Sequence, residues 1–141
     1  MSYLPWAVVA LVGYTLVPVL LRIATTGPDA VPSDVAVIIS NTVLLFVATT
    51  VVIGTDQQVT THLSSPKLWY VIAGGLCLAV GILAYYRALA LGPVSVVTPV
   101  FGMFLVTSSV VGIAVLGESL TARKTVGIGL AVIAVYLVTV E

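Results

Sequence analysis

Charge is what this chain has least of. Its 141 residues include five basic and five acidic side chains, 7% of the total, and the formal net charge is zero. A water-facing globular surface takes about a quarter of its residues from the charged set, so a soluble domain is excluded. No basic run is present, which argues against a nucleic-acid partner. Cysteine is nearly missing too: Cys77 stands alone, so no intrachain disulfide forms and the redox compartment stays open. The single histidine, His62, lies in a polar stretch beside Thr and Ser, and no cluster of metal ligands surrounds it. There is no Gly-rich phosphate loop and no nucleophile–base constellation. The chain offers nothing that argues for an enzyme, a metal site or a cofactor.

What is present is apolar sequence in long runs. Hydrophobic residues make up 60% of the chain, and mean hydropathy is +1.25. A bilayer-spanning helix needs roughly 20 mostly apolar residues. Residues 4–21, 35–54, 68–86, 88–117 and 125–140 are such runs, and none holds an ionised side chain; Arg87 separates the third from the fourth. The expectation is an all-α membrane protein with five transmembrane helices, at about 4–23, 35–54, 67–90, 94–116 and 122–140, forming one membrane domain over 1–141. The first run has no basic segment before it and no small-x-small cleavage site leading into a soluble domain. It reads as a retained span.

The breaks between spans are written in turn residues. Gly27-Pro28 and Pro32-Ser33 close the first loop, and Ser33 or Asp34 is a candidate cap for the second helix. Residues 55–66 form the one sizeable polar loop, with Pro66 suited to a first helical turn. The run after Arg87 is too long for one span, and Gly92-Pro93 is its natural break. Residues 117–121 make a tight turn, with Thr121 a candidate cap for the last helix.

Within the spans, small and polar residues fall on stripes. Tyr70, Gly74, Cys77, Gly81, Tyr85 and Ala88 share a face of the third helix at steps of three and four. Ser95, Thr98, Gly102, Ser109 and Gly112 form a narrow arc on the fourth, with Pro99 beside it freeing a carbonyl one turn earlier. Gly127, Ala131 and Ala134 line one side of the fifth. Such stripes let helix backbones approach closely or leave room for a ligand. The basic residues divide almost evenly between the two membrane sides, Lys67, Arg123 and Lys124 against Arg22 and Arg87. This is a weak bias toward a cytoplasmic N-terminus, and a balance that permits both orientations.

The segment from Ala84 to Val138 resembles the C-terminal part of an EamA-type domain of the drug/metabolite transporter superfamily. The residues that carry the likeness are Ala88-Leu89 ending helix three, the Gly92-Pro93 link and Pro99 within helix four. Gly117-Glu118-Ser119-Leu120-Thr121 at the next turn and Gly127 with Gly129 in the last helix complete it. Earlier, Gly13-Tyr14 and Arg22 fit more loosely, and Asn41 stands where the family often places an arginine. The resemblance implies half of an inverted-repeat transporter, since most members carry two five-helix repeats of opposite orientation in one chain. It further implies a second copy of the chain as partner, an antiparallel homodimer in the plasma membrane, and a small-molecule substrate. The small multidrug resistance family is a cousin with four spans and a carboxylate in its first helix. Here Tyr14 stands nearest that place, so proton exchange by that route is disfavoured.

The expected substrate lining is Tyr14, Pro18, Asn41, Tyr85, Ser95, Thr98, Pro99 and Gly102. Against it stand ordinary roles: interfacial or packing positions for Tyr14 and Pro18, and an interhelical hydrogen bond for Asn41, which is costly at lipid depth without a partner. Gly127, Ala131 and Ala134 are the expected dimer packing. Glu118 is placed either as a gate or as a turn residue steadied near Arg123 and Lys124. Arg22 is placed either as a gate or, like Arg87, as a side chain reaching to lipid headgroups. The leading function is a carrier or exporter of small metabolites working by alternating access. The alternative is a non-transporting accessory or structural subunit with the same fold.

Overall fold

At bilayer depth no water meets backbone N–H and C=O groups, so an apolar run satisfies them along itself as a helix. The computed structural model describes residues 3–140. Within them the chain forms α1 (Leu4–Thr15), α2 (Val17–Ala24), α3 (Ser33–Gly54), α4 (Val59–His62), α5 (Leu68–Leu91), α6 (Val94–Leu116) and α7 (Ala122–Thr139). No strand occurs among the described residues. Five segments are long and apolar enough to cross a membrane: Leu4–Ala24, Ser33–Gly54, Leu68–Leu91, Val94–Leu116 and Ala122–Thr139. The protein is an all-α, multi-pass integral membrane protein.

The structure departs from the sequence reading at three places. The first span is not one helix over 4–23 but two, α1 and α2, parted at Leu16. Pro18 carries no N–H for the carbonyl of Tyr14 four residues back, and its ring crowds that carbonyl. The cap of α3 falls on Pro32 (φ −54°, ψ 138°), with no side-chain capping bond. Ser33 and Asp34 therefore lie inside the first turn, and Asp34 is free to bond elsewhere. The polar loop over 55–66 also holds the single turn α4.

Other boundaries follow from local chemistry. Pro93 caps α6 with extended geometry (φ −68°, ψ 143°), and its carbonyl accepts from the N–H groups of Val96 and Val97. Gly117 ends α6 in the left-handed conformation, φ +68°, where a side chain would be strained. Thr121 caps α7, its hydroxyl accepting from the Lys124 N–H at 3.3 Å.

By its internal contacts the chain divides at the Leu91–Gly92 step into two units. In the first, α1 continues into α2, and both α2 and α3 pack on α5. Its buried residues gather at one end: Pro18 and Thr25 from the second half of the first span, Ala36 and Val37 from the start of α3, and Tyr85, Tyr86 and Leu89 from the end of α5. The start of α3 thus meets the end of α5, so these two helices run antiparallel. In the second unit α6 and α7 form a hairpin with no buried side chain. Most span residues in both units are open, as expected where lipid or another protein surface supplies the apolar surroundings.

Candidate functional site

The first unit concentrates its polar contacts where its helices converge. Arg87 grips Asp34 with two contacts, Nε to Oδ1 at 3.1 Å and Nη2 to Oδ2 at 2.9 Å. Deeper along α3, the Ser40 hydroxyl lies 2.9 Å from the Tyr86 hydroxyl while also donating toward the Ala36 carbonyl at 2.8 Å. Tyr86 meets the Tyr85 ring edge-on, with centroids 6.5 Å apart. From the other flank, Nη1 of Arg22 donates to the Leu89 carbonyl at 2.6 Å. The loop after α2 is stitched by Thr25 and Thr26 hydroxyls donating to Leu21 and Arg22 carbonyls, and by the Val31 N–H donating to Ala24. So α5 is tied to α3 by Tyr86 and Arg87, and to α2 by Leu89.

Arg22, placed from sequence as a gate or a headgroup contact, and Arg87, placed as a headgroup contact, both have protein partners, the Leu89 carbonyl and Asp34. Pro18 and Tyr85 are buried in this convergence. Tyr14 is exposed on α1 at 69%, and its carbonyl is the one that loses its helical donor to Pro18. Asn41 is half-buried on α3, and its amide nitrogen donates to Val37 of its own helix at 2.8 Å. The expected interhelical bond is not the one this nitrogen makes.

Within the second unit, Ser95, Thr98, Pro99 and Gly102 occupy successive turns of α6. Ser95 is exposed and the other three are half-buried. Pro99 withdraws the helical donor from the Ser95 carbonyl, which leaves a polar backbone group on the same stripe. Further along, a shallow groove of about 330 Å³ runs between α6 and α7, lined among others by Ser109, Ile113, Glu118 and Gly127. The Glu118 carboxylate folds back toward Gly112, about 3.6 Å from where a Cβ would stand. The turn is steadied by Lys124, whose Nζ donates to the Ser119 carbonyl at 2.9 Å. Gly127 faces this groove, while Ala131 is half-buried and Ala134 exposed.

Hydroxyls elsewhere in the spans turn back on their own helices. Thr15, Thr42, Thr49, Thr50 and Ser109 each donate to the carbonyl four residues earlier, at 2.7–2.9 Å. This makes them tolerable against lipid. A larger pocket, about 420 Å³, is lined by Gln57, His62, Lys67 and neighbours at the polar loop. Sequence reasoning placed no site there, and its lining carries no convergent set of charges.

Asp34, Ser40, Tyr86 and Leu89 were missed from sequence. One signal was readable: Pro93, four residues after Leu89, has no N–H to give that carbonyl, so an outside donor is required.

The full chain bears out this membrane architecture in comparison with known proteins: residues 1–140 match the EamA-like transporter family. The chain belongs to that family. It is similar to an uncharacterized transporter in the cobO 3' region of a Sinorhizobium species, 29% identical over 124 residues, which cover 87% of this chain and 88% of the relative. No solved structure matches it. This EamA-like transporter is thus a membrane transporter of the drug/metabolite superfamily, with the bilayer as its solvent.

Proposed function

We propose that this EamA-like transporter is a carrier or exporter of small metabolites in the plasma membrane, working by alternating access as an antiparallel homodimer. The observation that carries the reading is a single set of five spans whose apolar side chains are almost all open. An odd number of spans inverts a following repeat, so a second copy in opposite orientation supplies the missing half. The Sinorhizobium relative, matched over 88% of its own length, is itself about one repeat long. The near-even split of basic residues supports insertion both ways. Substrate passes near the midplane, past the stripe of Ser95, Thr98 and Gly102, where Pro99 withdraws the helical donor from the Ser95 carbonyl.

One observation favours the accessory-subunit reading. The hydroxyls of Thr15, Thr42, Thr49 and Thr50 are closed on their own helices, which leaves few side-chain handles for a polar substrate in the first unit. Labelling a C-terminal tag in intact cells and in inverted vesicles tests the dimer. Transport by an antiparallel pair requires label from both sides. Label from one side alone would sink the antiparallel homodimer.

A further inference from the structure

Three consecutive contacts pin the end of α5 just before the chain passes from the first unit to the second. Tyr86 is held by Ser40 of α3, Arg87 by Asp34 of α3, and Leu89 by Arg22 of α2. The last of these has a cause in the sequence. In a continuing helix the Leu89 carbonyl would accept from the N–H of residue 93, but residue 93 is proline. The carbonyl sits at the C-terminal end of a 24-residue helix, where the backbone dipole is negative and a cation is favoured. The Leu89 side chain is fully buried, at 0% exposure, so water does not readily take the donor's place. Arg22 is always charged and presents several N–H groups in a fixed fork. One of them closes this carbonyl from 67 positions away in sequence.

Beyond Leu89 the helix runs only to Leu91. Leu91 is 87% exposed, Gly92 is followed by Pro93, and α6 begins afresh at Val94. The division between the two units falls at this same step. We propose that Arg22 is a positioning residue for transport: by closing the carbonyl that Pro93 leaves open, it holds α5 rigid through Leu89 and confines chain bending between the two units to residues 90–93. The inference rests on the alternating-access reading for its purpose, since such a cycle needs a defined pivot within each copy. The clasp itself is tested without substrate.

The test is hydrogen–deuterium exchange of the full chain in lipid nanodiscs, read on peptides covering residues 86–92. Arg22→Gln is expected to raise exchange at residues 86–89 several-fold while leaving residues 70–80 unchanged. Pro93→Ala restores a backbone donor for Leu89, so in that background Arg22→Gln is expected to have little effect. Arg22→Lys keeps a cationic donor and is expected to recover part of the protection, which keeps the test decisive if the Pro93 variant does not insert. Unchanged exchange in Arg22→Gln overturns the proposal. So does an equal rise with and without Pro93, or Arg22→Lys behaving like Arg22→Gln. Any of these leaves the two-sided labelling test of the dimer unaffected, so the two ideas fail separately.

Discussion

Arg87 and Asp34 meet through two parallel contacts, at 3.1 and 2.9 Å, and so join the last turns of α5 to the first turn of α3. Both side chains remain more than half exposed, at 62% and 54%. Exposed pairs contribute little to stability and are screened by salt. Asp34→Asn is therefore expected to lower thermal stability in detergent only slightly, and less at high salt. Reversing the pair with Asp34→Arg and Arg87→Asp together restores it. A large loss from Asp34→Asn that charge reversal does not recover would show that Asp34 acts through some other contact.

Tyr86 separates packing from hydrogen bonding. It is 4% exposed and touches the Ser40 hydroxyl. An interhelical hydrogen bond in a membrane protein averages about 0.6 kcal/mol. Removing the ring leaves a cavity, which for large aromatic-to-alanine changes costs about 3–5 kcal/mol in soluble cores. Tyr86→Phe is expected to fold almost as well as the parent, and Tyr86→Ala to unfold at markedly lower denaturant. Comparable losses in both would mean the hydroxyl, and not the ring, holds α3 to α5.

The stripe on α6 separates water from lipid. Val100 and Phe104 are about half exposed, so open surface alone does not distinguish the two faces. Cysteines at 95, 98 and 102 are expected to react with a polar thiol reagent in membranes, and those at 97, 100 and 104 to resist. Thr98→Val removes a hydroxyl at nearly constant volume. For a polar substrate bonded there, apparent affinity should fall several-fold, matching a net bond of about 1 kcal/mol. Uniform protection along α6 would favour the accessory subunit.

Gly127 tests the dimer seam. No atom lies within 4 Å of where its Cβ would stand, so the α6–α7 hairpin has room for a side chain. Gly127→Leu and Ala131→Leu are expected to leave the chain inserted and to lower cross-linking between copies, because close helix approach in lipid depends on small residues. Parent-level cross-linking in both would move the seam away from α7.

Much of the candidate site was legible only as stripes. Ser95, Thr98 and Gly102 were placed on one stripe because residues three and four apart share a helix face, a rule that needs no tertiary information. The role of Asn41 was not legible, because its choice between the Val37 carbonyl and a neighbouring helix is settled by a rotamer. The ties of Asp34, Ser40 and Arg22 were hidden by distance: their partners lie 53, 46 and 67 positions away.

The bilayer explains where that line falls. Hydrocarbon demands that each span satisfy its own backbone, so apolar length by itself determined five crossings. Proline and glycine, through the missing N–H and the tolerance of positive φ, determined the break at Gly92-Pro93 and the turn at Gly117. Tertiary structure decided which end of the first unit is packed and which helices Arg22 and Arg87 serve. Lipid is as apolar as leucine, so hydropathy assigns no preferred face to a helix within the membrane. Which helices meet is then left to close packing and to a few directed bonds, and those exist only once the chain has folded back on itself.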